Sequence, residues 1–211
     1  MLYEMRTYTT PAGKAPVLAD LSAEIARDIR GDEFGKLEGY WVTEVGPLNK
    51  CMHLWSYNDL HHREERRAAL GQNQRWKTEY LPKALPLILR QDIRHMAPAR
   101  PLTPPTGDGN DNEFRYYRCK VGKAAEFVNY LKETLPSREK YSKNVCVWTT
   151  MAGQPNEVCH MWAYESLDKR AEVRAAALAD KDWQAMLTKV HPLIDEMDNM
   201  IITPWTQSPM K

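Results

Sequence analysis

The chain has 211 residues, of which 43% are hydrophobic and 27% charged. That composition suits an ordinary globular fold and excludes disordered, collagen-like and disulfide-stapled classes. Lys and Arg number 29 against 28 for Asp and Glu, a net charge of +1, which supplies no field to draw in a polyanion, so nucleic acid is not an expected partner.

In chain order, Tyr3 to Thr9 alternates like a strand until Pro11 and Gly13 break it. Val17, Leu18, Leu21, Ile25 and Ile29 recur at helical spacing and stop before Gly31. Leu37 to Val45 and Lys50 to Tyr57 are strand-like and flank the turn Gly46-Pro47-Leu48-Asn49, which predicts a hairpin. His61 to Leu70 predicts a charged helix. Asn73 is placed to cap a second one carrying Trp76, Tyr80 and Leu81, which Pro86 ends. Leu89 to Met96 closes the set as a strand, giving the order β-α-β-β-α-β of a ferredoxin-like unit.

That unit occurs twice. At an offset of 107, Trp41–Trp76 overlays Trp148–Trp183 without a gap, with 14 identities in 36 positions, among them Trp41/Trp148, His53/His160, Trp55/Trp162, Tyr57/Tyr164, Arg63/Arg170 and Arg67/Arg174. The match continues outward at offset 109 (Glu4/Glu113, Arg6/Arg115, Tyr8/Tyr117, Lys14/Lys123) and at offset 106 (Pro86/Pro192, Pro98/Pro204), shifts that suggest insertions in loops. The intervening segment 101–112, rich in Pro, Gly, Asn and Asp, suits a linker. The expected organisation is one domain over 1–100 and a second over 113–211. The expected fold class is α+β: two tandem ferredoxin-like domains whose antiparallel sheets face each other as an α/β barrel with helices outside.

The longest apolar stretch, Leu85 to Leu89, is broken by Pro86 and is far shorter than the ~20 residues a membrane span needs. No charged n-region followed by an apolar h-region opens the chain. The expectation is a cytoplasmic protein with no membrane span and with four reduced thiols, since Cys51, Cys119, Cys146 and Cys159 lack a CxxC or finger spacing.

Four stretches together resemble the NIPSNAP family of the dimeric α/β-barrel superfamily: Tyr3-Glu-Met-Arg-Thr-Tyr8, Gly39-Tyr-Trp-Val-Thr-Glu-Val-Gly-Pro-Leu-Asn49, His53-Leu-Trp-Ser-Tyr-Asn-Asp-Leu60 and Arg63-Glu-Glu-Arg-Arg-Ala-Ala-Leu70. The resemblance covers nearly the whole chain, twice, and the second copy is the more divergent, with Met151-Ala-Gly-Gln-Pro-Asn156 at its turn. It implies the barrel fold. For function it implies a superfamily range that runs from cofactor-independent oxygenases through haem-binding and haem-degrading enzymes to members that only bind.

The residues themselves suggest where chemistry would sit. His53, Trp55 and Tyr57 share one strand face by period 2, as do His160, Trp162 and Tyr164, and an aromatic face with a polar handle suits the lining of a cleft between the two sheets. Glu4, Arg6 and Tyr8, mirrored by Glu113, Arg115 and Tyr117, likewise share a face. The catalytic candidates are His53 and His160 as acid/base groups. The ligand-binding candidates are Glu4, Arg6, Tyr8, Trp55, Tyr57, Glu113, Arg115, Tyr117, Trp162 and Tyr164, with the arginines holding an anionic or enolate oxygen and the rings gripping a flat apolar molecule. Trp76 and Trp183 are expected as core anchors, Trp41 and Trp148 as core or interface packing, and His61 to Arg67 as a solvated helix face. No HExxH or facial-triad spacing signals a metal, and no GxGxxG, Walker or GxSxG motif signals a nucleotide or a nucleophile.

Three functional readings stay open. The first is a protein binding a small apolar or aromatic molecule between its domains, with cofactor-independent oxygenase- or isomerase-like acid/base chemistry. The second is a structural or interaction protein with a packed interior, and the third binds or degrades haem. No cofactor is called for, and a homo-oligomer is open to it.

Overall fold

The computed structural model describes residues 1–107 and 110–211. In the first copy, β1 (Leu2–Thr9) leads into α1 (Ala15–Leu21), a π-helical turn (Ser22–Ala26) and α2 (Arg27–Arg30). The hairpin β2 (Lys36–Val45) and β3 (Lys50–Tyr57) follows. Next come α3 (Leu60–Gln72), a second π turn (Trp76–Tyr80), α4 (Leu81–Ala84), a 3-10 turn and β4 (Arg90–Pro98). The second copy runs β5 (Asp111–Cys119), α5 (Ala124–Arg138), β6 (Asn144–Ala152), β7 (Glu157–Tyr164), α6 (Leu167–Ala179), α7 (Lys181–Val190), a 3-10 turn and β8 (Ile194–Pro204). The fold is α+β, a duplicated ferredoxin-like β-α-β-β-α-β arrangement on antiparallel sheet. Among the described residues, no helix is long and apolar enough to cross a membrane.

Local chemistry explains why the copies superimpose in sequence. Asn49 and Asn156 sit at φ 58° and 64°, a left-handed conformation that asparagine tolerates better than most residues. Their side-chain oxygens accept from Gly13 N at 2.8 Å and Gly122 N at 2.9 Å, so each hairpin turn is tied to the loop that opens the first helix of its copy. Asn73 accepts from Trp76 N at 3.0 Å, and Asp180 from Trp183 N at 3.1 Å, as the cap pattern predicts.

Two of the offset shifts lie inside helices and not in loops, which corrects the sequence expectation. From Lys14 to Arg30 is 16 positions (30 − 14), whereas Lys123 to Arg138 is 15 (138 − 123); the extra residue is accommodated by the π turn Ser22–Ala26. From Trp76 to Pro86 is 10 positions against 9 from Trp183 to Pro192, and the second π turn falls there. A helix absorbs one inserted residue by widening a single turn from i→i+4 to i→i+5 bonding, which keeps both flanks in phase.

The chain divides into two compact units, Met1–His95 with Ile202–Lys211, and Met96–Ile201. These differ from the two sequence copies because β4 and β8 each run across the division. The strand order is β4-β1-β3-β2-β8 in the first unit and β8-β5-β7-β6-β4 in the second. In the first unit the C-terminal segment is held by Trp205 N on Tyr40 O (2.9 Å), Tyr40 N on Ser208 Oγ (2.9 Å) and Trp205 Nε1 on Asp20 Oδ1 (2.9 Å). In the second, Ala99 N and Thr103 N donate to Val147 O and Val145 O, both at 2.8 Å.

Candidate functional site

The face carrying His53 and Trp55 lies under the helices of its own unit, so the expectation that it lines a cleft between two sheets is overturned. Cys51 Sγ donates to Ala15 O on α1 (3.2 Å), Tyr40 Oη donates to Ser22 Oγ (3.2 Å), and the Arg30 guanidinium lies 3.3 Å from the centroid of the Trp55 ring. Met5, Met52 and Leu54 on the opposite face are buried too. With both faces apolar enough to bury, alternation reveals which residues share a face but not which face receives the helices.

In the first unit a cavity of about 320 Å³ opens between sheet and helices, within the range of small-molecule sites. Register places its floor. Tyr40 and Arg6 flank His53 on the neighbouring strands; Tyr40 stacks on the imidazole (5.2 Å, 7° between planes) and Tyr8 meets it edge-on (4.8 Å). The walls include Trp55, Trp76 and Tyr80, and the cations Arg30 and Arg67. Both π turns contribute: Ser22 and Ala26 from one, Trp76 and Tyr80 from the other. A chain of hydroxyls joins them, Tyr40 to Ser22 (3.2 Å) and Ser22 to Tyr80 (3.0 Å).

Hydrogen bonding fixes the histidine tautomer. The Trp55 indole N–H, which can only donate, lies 2.5 Å from His53 Nδ1. Nδ1 therefore accepts, and the proton of the neutral ring sits on Nε2. Burial, reinforced by the charges of Arg6, Arg30 and Arg67, holds the His53 pKa well below its ordinary 6.5. His53 is thus a neutral hydrogen-bond donor at physiological pH, with its basic nitrogen occupied by the indole.

Arg30 donates to Phe34 O and Tyr57 Oη, both at 3.0 Å. Its pKa falls to about 10, chiefly from burial, which leaves it cationic at neutral pH. Arg67 is half-buried and makes no hydrogen bond or ion pair among the described residues; burial first, and then the charge of Arg6, lower its pKa.

The second unit repeats this frame around a smaller cavity of about 190 Å³, lined by His160, Trp162, Arg115, Arg138, Arg174 and Trp183 together with aliphatic side chains. Trp162 Nε1 donates to His160 Nδ1 at 2.7 Å. Burial, then the charge of Arg115, takes the His160 pKa to about 3. His160 Nε2 is buried with no partner among the described residues. Arg138 lies over Trp162 (4.5 Å) and Trp183 (5.6 Å) as Arg30 does over Trp55.

Beside each cavity sits a fully buried carboxylate. Glu4 receives Arg6 (3.1 Å), Arg63 (2.7 Å) and His95 (3.0 Å). Glu113 receives Arg115 and Arg170 (both 2.6 Å), Asn199 (2.8 Å) and Arg174 (3.4 Å). Burial alone would raise both pKa values, yet the arginine charges and hydrogen bonds outweigh it, leaving Glu4 lowered and Glu113 at about 2.

Of the candidate residues, His53, Tyr8 and Trp55 line the first cavity, and His160, Arg115, Tyr117 and Trp162 the second. Glu4 and Glu113 are anchors of ion-pair clusters instead, Arg6 is bound to Glu4, and Tyr57 and Tyr164 lie outside the cavity walls. The helix face expected to be solvated turns Arg63 and Arg67 inward, because positions i and i+4 share a side. Trp76 and Trp183, expected as core anchors, do pack against the core of their units, half-buried, and each also walls a cavity. Trp41 and Trp148 are fully buried. The Arg30/Arg138 pair is absent from the sequence expectation; its signal is an offset of 108, intermediate between the 109 and 107 of its neighbours. All four cysteines are free and buried, and among the described residues no cluster of three or more His, Cys, Asp or Glu is placed to hold a metal ion.

Fold and site together define a class: a duplicated ferredoxin-like α+β protein with an arginine- and tryptophan-lined cavity under the helices of each unit. The NIPSNAP family model matches residues 3–101 and again 112–209. A NipSnap homolog of Dictyostelium discoideum is 28% identical over 209 residues, covering 96% of this chain and 87% of that one. Human NipSnap homolog 3A is 30% identical over 181 residues, covering 83% and 73%. Among solved structures, a proposed monooxygenase from Fusobacterium nucleatum aligns over 100% of this chain and 97% of its own with a TM-score of 0.71 at 13% identity, which shows a shared fold. The chain belongs to the NIPSNAP family, in two tandem copies.

Proposed function

We propose that the first unit binds a small, planar, largely apolar acid in its helix-side cavity. The observation that carries this reading is Arg67, a half-buried cation with no carboxylate of its own, beside the Nε2–H of a neutral His53 in a space walled by aromatic rings. A carboxylate, phenolate or enolate oxygen satisfies both donors and recovers the cost of burying the guanidinium. The body of such a molecule fits against Tyr40, Trp76 and Tyr80.

The donor tautomer of His53 supports anion stabilisation over acid/base transfer. A neutral imidazole N–H paired with a cation stabilises an enolate or phenolate oxygen, the anion through which cofactor-independent isomerisation or oxygenation proceeds. The same tautomer argues against haem ligation: a histidine that ligates metal ordinarily donates its other ring N–H, whereas here Nδ1 accepts.

Calorimetric titration with 2-naphthoate tests the proposal. Binding is expected to weaken by about tenfold or more in Arg67→Met, a loss of ~1.4 kcal/mol or greater, with the uncharged 2-acetylnaphthalene binding poorly. Equal binding of the acid to the parent chain and to Arg67→Met would sink the assignment.

A further inference from the structure

We infer that the second unit holds an independent site for a different class of ligand: a small, uncharged, mostly apolar carbonyl compound whose oxygen accepts from His160 Nε2–H. His160 is 5% exposed, lines the cavity, and its Nε2 has no partner among the described residues. Because Nδ1 is taken by the Trp162 indole N–H, the orphan atom is a donor and calls for an acceptor.

Charge sets the ligand's class. Where Arg67 is unpaired in the first unit, its counterpart Arg174 is bound to Glu113 (3.4 Å), and Arg115 is committed to Glu113 and Tyr117 Oη, both at 2.6 Å. Arg138 donates to Ser142 Oγ (2.8 Å) and faces two indole rings. These cations already have acceptors or ring faces, so the unmet demand is for one neutral oxygen. Size points the same way: about 190 Å³ is too small for a drug-sized ligand but admits a single ring, since an apolar cavity of ~150 Å³ already takes up benzene, and Phe127, Leu131, Met186 and Val190 give it an apolar wall.

The test is imidazole ¹⁵N–¹H NMR of the full chain with acetophenone as the probe. Acetophenone is expected to shift the His160 Nε2–H resonance downfield and leave His53 in place, and Ala177→Leu, which fills the second cavity from its buried wall, is expected to abolish that shift while His53 keeps its parent signal. A shift at neither histidine, meaning a bound water that the probe does not displace, overturns the proposal. So does a shift at His53 alone, an equal shift at both, or a His160 shift that survives in Ala177→Leu. Titration with 2-naphthoate in the same samples reads the first cavity separately, so either site can fail without the other.

Discussion

The two units keep one skeleton and differ in the walls they build on it. In both, a tryptophan N–H fixes a buried neutral histidine, an arginine lies over that tryptophan, and a buried glutamate gathers arginines. In the first unit, Tyr40 stacks on the histidine, two helices carry π turns, and Arg67 is unpaired. In the second, Val147 occupies the register position opposite His160, the corresponding helices are regular, and Arg174 is tied to Glu113. The cavities measure about 320 and 190 Å³ accordingly. Both units keep the polar skeleton, and the larger cavity lies in the unit whose helices are one residue longer at each π turn.

The largest effect expected from breaking this comparison is at the glutamates. Glu113→Gln leaves Arg115, Arg170 and Arg174 without their shared anion, and a broken buried ion pair costs ~3–5 kcal/mol. Glu4→Gln should cost less, since two arginines and His95 lose a partner there. Urea denaturation of the two variants checks both the magnitude and the order.

Acidification comes next. The unfolded histidines titrate near 6.5, while His160 in the fold titrates near 3 and His53 lies well below its ordinary value. The unfolded state therefore takes up protons that the fold refuses, so stability is full above pH 6.5 and falls as the pH drops toward 3. The Glu113 contribution is full above its unfolded value of 4.5 and is lost as the pH falls through about 2. Melting temperature should decline from pH 6.5 downward with a steeper limb below 4.5, in both units, and a flat profile between 6.5 and 4.5 would refute the neutral histidines.

The mildest change sharpens the contrast most directly. Deleting Ala23 removes the extra residue of the first π turn and gives the first copy the helix length of the second. The expected result is a retained thermal transition with 2-naphthoate binding weakened by about tenfold. Unchanged binding would mean that the π turn does not set the cavity.

Much of this was legible in the chain. The repeat, the caps at Asn73 and Asp180, and the hairpin turns with their paired asparagines followed from spacing and local hydrogen-bonding chemistry. The side on which the helices pack did not, because the strands bury both faces and period 2 carries no sign. Arg67 was hidden in a run of seven mostly charged residues where helical phase, and not composition, decides which side chain turns in. The π turns are written as drifting offsets, but a one-residue length difference has the same signature in a loop as in a helix.

The exchange of strand ends also bears on how the chain reaches this fold. Tyr40 lies in the first fifth of the sequence, yet its backbone N–H and C=O are met by Ser208 and Trp205. On a ribosome the first unit can assemble most of its sheet early but not its last edge, which waits for residues 202–211, translated after the second unit. The first copy to be made is therefore completed only after the second, and damage to residues 202–211 should be felt in the unit that holds residues 1–95.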